Sequence, residues 1–113
     1  MQIPKEAVLL RIFFGEDDKY ENRPLYEAIV LKAREMALAG ATVLRGPVGF
    51  GHSTVLHTTK ILRLSQDLPI VIEIVDAPEK IDAFLPVLDS MMSSGLVTTE
   101  KVQVLQYGTE RNR

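Results

Sequence analysis

Residues 42–60, TVLRGPVGFGHSTVLHTTK, decide how the rest of the chain is read. Strand character over Thr42 to Val48 breaks at Gly46, Gly49 and Gly51 into a polar stretch carrying His52 and His57, and apolar residues resume at Ile61 and Leu62. Glycines this dense let backbone N–H groups turn inward and approach a ligand at a distance that a Cβ forbids. The stretch therefore reads as strand, loop and strand. The third strand is expected to start near Lys60 and to resume after Leu68-Pro69 as IVIEIV. Pro69 has no backbone donor, which predicts a bend or a place at the sheet edge.

Working upstream, Ala7 to Phe14 (AVLLRIFF) is short, bulky and apolar, and is closed by Gly15 and the acidic Glu16-Asp17-Asp18, which marks a first strand. Val8, Leu10, Ile12 and Phe14 share one face, while Ala7, Leu9 and Phe13 share the other with Arg11. Both faces are largely apolar. If helices cover one, the second is left for another subunit. Pro24 falls in the first turn of a helix with Asn22 as its candidate cap, and Leu25, Ile29, Ala33, Met36 and Ala37 recur at helical spacing before Gly40 ends it.

Downstream, Asp76 and Glu79 have the spacing of a capping box, with Asp in place of Ser or Thr. Ile81, Phe84, Leu85, Leu88, Met91 and Met92 form the apolar stripe of a second helix. Pro86 removes a backbone donor at a cost of about 3 kcal/mol, which predicts a kink or a restart. Gly95 closes the element, and Lys101 to Tyr107 (KVQVLQY) is the expected last strand. Strand, helix, strand, strand, helix, strand is the split βαβ order of α+β ferredoxin-like domains. Right-handed crossovers put both helices on one face of a four-stranded antiparallel sheet, and residues 1–113 are expected to form a single such domain. The fold hosts many activities and does not settle function.

Composition removes several classes. A formal charge of −2 offers no general attraction for nucleic acid or anionic lipid, so any phosphate binding is local. No cysteine is present, which excludes a disulfide framework, a thiolate zinc site and a cysteine nucleophile, and suits a cytoplasmic location. No stretch approaches the roughly 18 uncharged residues of a membrane span, and Arg11 interrupts the apolar run near the start. Neither membrane insertion nor nucleic-acid binding is expected.

Gly46 to Ser53 nearly fits the phosphate-binding pattern G-x-x-x-x-G-K-[ST], but His52 stands where the lysine must reach the terminal phosphates. A plain anion nest at Gly49-Phe50-Gly51 fits better, against the alternative of a tight turn that binds nothing. His52 and His57 lack a cysteine or close carboxylate as third ligand, so they read as loop histidines bonding backbone or ligand, with no metal. The acidic run 16–18 lacks cation-loop spacing and reads as a solvated loop. Asp76 reads as a helix cap, Ser90, Ser93 and Ser94 have no histidine partner, Met91-Met92 reads as core, and Arg111 and Arg113 as frayed tail.

The segment from Gly40 to Gly51, GATVLRGPVGFG, resembles the part of PII nitrogen-regulatory proteins where a G-x-T-V strand runs to a Gly-Phe-Gly at the base of the T-loop. LPIVIEIV (68–75) is similar to the following PII strand, and GLVTTEKV (95–102) to the PII B-loop, with Thr98-Thr99-Glu100 where PII has Gly-Asp-Gly. More closely, and over nearly the whole chain, PLYEAIVLKAREMALAGATVLRGPVGFG with SQDLPIVIEIVD and GLVTTEKV resembles the PII-like bacterial family known as domain of unknown function 190. The resemblance implies a homotrimer with ligand sites in the clefts between subunits, where PII relatives bind adenine nucleotides and report to transporters or enzymes.

By position, Gly49, Phe50 and Gly51 would form the loop base and Gly95 with Lys101 the opposite wall, Lys101 facing phosphate. The expectation is a non-catalytic signalling protein that binds a small anionic ligand, an adenine nucleotide among the candidates, and modulates a partner such as a membrane transporter or channel. The ligand residues expected are Arg45, Gly49, Phe50, Gly51, His52, Ser53, His57, Gly95 and Lys101. No cofactor is expected. The alternatives are a ferredoxin-fold enzyme acting on phosphate esters or acyl phosphates, for which an arginine and an asparagine are not visibly arranged, and an interaction module that binds no ligand.

Overall fold

Alternation of Val8, Leu10, Ile12 and Phe14 with Leu9, Arg11 and Phe13 makes β1, Glu6–Gly15, the spine of the sheet. In the computed structural model residues 3–47 and 67–112 are described. Gly49, Phe50, Gly51, His52, Ser53, His57, Arg113 and the expected start of a strand near Lys60 lie outside them. After β1 come β2 (Lys19–Tyr20), β3 (Arg23–Pro24), α1 (Leu25–Glu35), β4 (Thr42–Arg45), β5 (Pro69–Asp76), α2 (Pro78–Met91), β6 (Leu96–Gln103), β7 (Gln106–Tyr107) and β8 (Glu110–Arg111).

The main sheet has the order β4-β5-β1-β6, every neighbour antiparallel, with β2-β3 and β7-β8 as separate two-stranded ribbons. This is the ferredoxin-like arrangement that the element order predicts. Leu10, Ile12 and Phe14 of β1 and Ile70, Ile72 and Ile74 of β5 are buried against Leu25, Ala28, Ile29 and Ala33 of α1 and Ile81, Phe84, Leu88 and Met91 of α2. The Leu, Ile, Phe and Met side chains among them each contribute roughly 1.5–3 kcal/mol when fully buried, so these two strand faces and two helix stripes carry most of the stability.

Several local expectations are corrected. Pro69 neither bends the strand nor marks an edge: it is the first residue of β5, an interior strand, where a missing donor is tolerated and its carbonyl accepts from the Gly46 N–H at 2.8 Å. α2 does not restart at Pro86 but runs unbroken through it, with Phe84 and Leu88 buried on either side to hold both turns on the sheet. Asp76 is not the cap of α2. Ala77 takes that place with Pro78 next to it, and the buried Asp76 carboxylate accepts the N–H groups of Ala39 at 2.8 Å and Ala77 at 2.7 Å.

Nor does Asn22 cap α1. Pro24 does, and Glu21 and Asn22, at φ 50° and 66°, make the two-residue turn between β2 and β3. The last main strand begins at Leu96, not Lys101. Gly95, just ahead of it, is at φ +135°, and a Cβ there would lie 2.7 Å from the Phe13 carbonyl oxygen, so only glycine fits.

A candidate ligand cavity on the uncovered face of the sheet

Both helices lie on one side, so the other face is uncovered. Register places Leu9, Arg11 and Phe13 on it beside Val71, Glu73 and Val75, flanked by Thr42 and Leu44 on β4 and by Leu96, Thr98, Glu100 and Val102 on β6. Arg11 stands directly opposite Glu73, to whose Oε2 its Nε donates at 2.9 Å, and its Nη1 donates to Glu100 Oε1 at 3.0 Å. The hydrogen bond that Arg11 donates to Glu73, opposed by desolvation, then the charges of Glu73 and Glu100, hold the Arg11 pKa above its usual value.

Toward the end of this face where β4 begins lies a cavity of about 570 Å³. Its floor is Leu9, Val75 and Val102; one rim is the turn Ala39–Thr42 between α1 and β4, and the other is Val104–Tyr107. The rims are fastened together, since the Tyr107 hydroxyl donates to the Ala39 carbonyl at 2.8 Å. The same turn is held from behind, where Ala39 donates to Asp76 and Lys80 Nζ donates to the Ala37 carbonyl. The far rim is fixed by Val104 N–H to the Lys5 carbonyl at 2.8 Å and by Asn112 Nδ2 to the carbonyls of Ile3 and Val104, both at 3.0 Å. An apolar floor with a few fixed polar groups suits a flat, weakly polar ring with a hydrophilic appendage. Glu73 lines it, but its charge is balanced by Arg11.

Two further hollows are more heavily charged. A groove of about 720 Å³ between α2 and β6 carries Asp82 and Asp89 and no cation. Another, of about 510 Å³ on α1, mixes Arg23 and Lys32 with Glu21 and Glu35. Among the described residues no group of His, Cys, Asp and Glu side chains could hold a metal ion.

Of the residues that the sequence nominates, Arg45, Gly95 and Lys101 are described. Arg45 ends β4, and its Nη2 pairs with Glu16 Oε2 at 2.6 Å. Gly95 lies at the same end of the sheet but beyond the opposite edge, and Lys101 is six residues further along β6, roughly 20 Å at strand rise. One chain therefore does not bring the three together. The acidic run is more than a solvated loop: besides the Glu16 pair, Asp17 N–H donates to Asp67 Oδ1 at 2.8 Å, and burial, then repulsion from Asp67 and Asp17, raises the Asp18 pKa. The cavity itself goes beyond the nominated residues. Leu9 and Val75 are legible as uncovered apolar positions, whereas the rim at Tyr107 depends on the chain crossing the end of the sheet.

This order of strands, with two helices on one side and a bare second face, defines a ferredoxin-like domain, and solved structures of PII-like proteins share the fold. The chain is similar to CPII of Thiomonas intermedia K12 bound to ADP and bicarbonate, at 20% identity, TM-score 0.57 and coverage of 88% of both chains. It is likewise similar to the same nitrogen regulatory PII-like protein bound to ADP, AMP and bicarbonate, at 19% identity, TM-score 0.58 and 88% of both chains. At such identities the fold is what is shared.

The chain belongs to the DUF190 family, whose model, described as Uncharacterized ACR, matches residues 7–104. A UPF0166 protein of Aquifex aeolicus (strain VF5) is 40% identical over 105 residues, 93% of this chain and 98% of the relative. A UPF0166 protein of Methanocaldococcus jannaschii is 37% identical over 93 residues, 81% of this chain and 85% of the relative.

Proposed function

We propose that this protein is a non-catalytic, cytoplasmic PII-like regulator that binds a small anionic ligand, an adenine nucleotide in the first instance, at clefts between the subunits of a homotrimer, and passes that state to a partner such as a membrane transporter or channel. The observation that carries the reading is the cavity over Leu9, Val75 and Val102, rimmed by the turn that feeds β4 and hence the glycine loop, and open on the bare side of the sheet. Its floor accepts a purine-like ring by apolar contact. The ligand residues proposed are Gly49, Phe50, Gly51, His52, Ser53 and His57 with Arg45, and from a neighbouring copy either Gly95 or Lys101, which lie roughly 20 Å apart at strand rise and do not both reach one phosphate group. The CPII structures, bound to ADP with bicarbonate, support this choice of ligand class. No helix among the described residues is long and apolar enough to cross a membrane, so contact with a transporter would be made from outside the bilayer. The enzyme alternative needs an asparagine to orient water beside an arginine, and the two asparagines are placed otherwise: Asn22 in the β2–β3 turn and Asn112 bonded to the carbonyls of Ile3 and Val104.

Calorimetry with ADP, AMP, ATP, cyclic dinucleotides and bicarbonate, on the native chain and on Lys101→Ala and Gly49→Ala, tests the reading. Binding by the native chain, weakened at least about tenfold in the variants, a loss of roughly 1.4 kcal/mol, is expected. No heat with any of these ligands would remove the nucleotide reading.

A further inference from the structure

On the helix side of the sheet the β2–β3 ribbon packs on α1, and the hollow of about 510 Å³ lies between them. Ala28, Leu31, Lys32 and Glu35 supply one wall, at the i, i+3, i+4 and i+7 positions that share a helix face. Tyr20, Glu21 and Arg23 of the ribbon supply another, and Met91, the last residue of α2, completes the lining. Part of that lining is apolar and fixed, since Ala28 and Met91 are buried and Tyr20 packs on the core. Leu31 keeps 43% of its surface in water beside them.

The lining sets Arg23 and Lys32 against Glu21 and Glu35, two charges of each sign. They are barely used within the chain. Lys32 Nζ reaches Glu35 Oε1 only at 3.4 Å, beyond the usual N–H···O range, and the Glu35 side chain is 70% exposed. The side chains of Glu21 and Arg23 and the Tyr20 hydroxyl have no partner among the described residues. Glu21 is also held at a cost: it sits at φ 50° in a two-residue turn whose first position favours asparagine, aspartate or glycine, and it is exposed, so neither the turn nor packing calls for glutamate. A lone anion would meet two carboxylates in this hollow, and a lone cation two cationic heads. A dipolar guest satisfies both pairs.

We propose that this hollow binds a free α-amino acid with an apolar side chain. The carboxylate of the guest is taken by the Arg23 guanidinium, which matches it in a planar two-point contact, with Lys32 as the second cation. Its ammonium goes to Glu21 and to the Glu35 oxygen that Lys32 does not engage, and its side chain lies against Leu31 and Met91. The hollow is on the opposite side of the sheet from the cavity over Leu9, Val75 and Val102, so a guest in one does not exclude a guest in the other. The site goes beyond the nucleotide reading and stands without it. One chain would then register two ligands of different charge class.

Titration of the isotope-labelled chain with L-leucine, L-methionine and L-phenylalanine, followed by amide chemical shifts in NMR, tests the site. The N-acetyl and methyl ester forms, which each lack one of the two charges, are titrated beside them. Saturable shifts centred on residues 20–23 and 28–35 are expected for at least one of the amino acids, with a Kd below about 1 mM. Its blocked forms should bind at least about tenfold more weakly, and so should the free amino acid to Arg23→Gln and to Glu21→Gln. Glu21→Gly separates binding from folding: glycine relieves the turn, so this variant should melt no lower than the native chain and yet lose uptake. No saturable shift with any of the three amino acids, equal binding of a blocked form, undiminished uptake by Glu21→Gly, or shifts centred elsewhere would each overturn the site. Nucleotide calorimetry on Arg23→Gln should match the native chain, so the loss of either reading leaves the other standing.

Discussion

Asp76 shows how a single residue can be legible in importance and misread in role. Its spacing to Glu79 fits a helix cap, but Ala77 and Pro78 already make the entry to α2, and the freed carboxylate reaches Ala39, far back in the sequence. A local motif has no means of showing such a partner. Asp76→Ala leaves two N–H groups without their acceptor at a site 1% exposed, and is expected to lower unfolding free energy by about 2–4 kcal/mol in urea titration. Asp18 runs the other way. Its folded pKa is raised from 3.8 by burial and by Asp67 and Asp17, so its ionised form opposes folding: the stability it contributes is whole below 3.8 and is lost as pH rises through the folded pKa. Asp18→Asn should therefore raise the melting temperature at pH 7, and that gain should disappear as pH falls toward 3.8 in paired melts. Gly95→Ala, strained by its φ of +135° and crowded by Phe13, should cost more than about 1 kcal/mol.

Among the elements, α2 and β6 depart most from their sequence reading. Proline within a helix is costly in isolation, but the apolar stripe on both sides of Pro86 is pinned to the sheet, so packing overrides propensity. Replacing the exposed Pro86 by Ala restores a donor and removes a clash while loosening the unfolded chain slightly. A net gain of about 1–2 kcal/mol is expected, read as a higher midpoint in thermal or urea unfolding. For β6, likeness to a PII loop hides strand character that Val97, Thr98 and Thr99 carry themselves. The central strands were legible because their alternation is imposed by the core; the start of β6 was not, because nearly all of its side chains face water and leave no pattern.

For the whole molecule, the order of elements was enough for the architecture, since right-handed crossovers leave few other ways to pair four such strands. The site was less legible. Its floor comes from alternation, but its rims come from a turn and a C-terminal segment whose meeting at Tyr107 and Ala39 follows from where the chain ends up in space. Filling the floor tests its role: Val75→Trp should abolish nucleotide heat while leaving the circular dichroism spectrum unchanged. Tyr107→Phe, which unfastens the rims, should weaken uptake by a few-fold, consistent with about 0.5–1.5 kcal/mol for one hydrogen bond.

The clasp of Asn112 on Ile3 brings the first and last described residues to the mouth of the same hollow. A purification handle attached close to residue 3 or residue 112 would then lie beside that hollow and compete with an incoming guest. Titrations on tagged material should report weaker uptake than the same preparation after the handle is cleaved, and the difference should shrink as the spacer between handle and domain is lengthened.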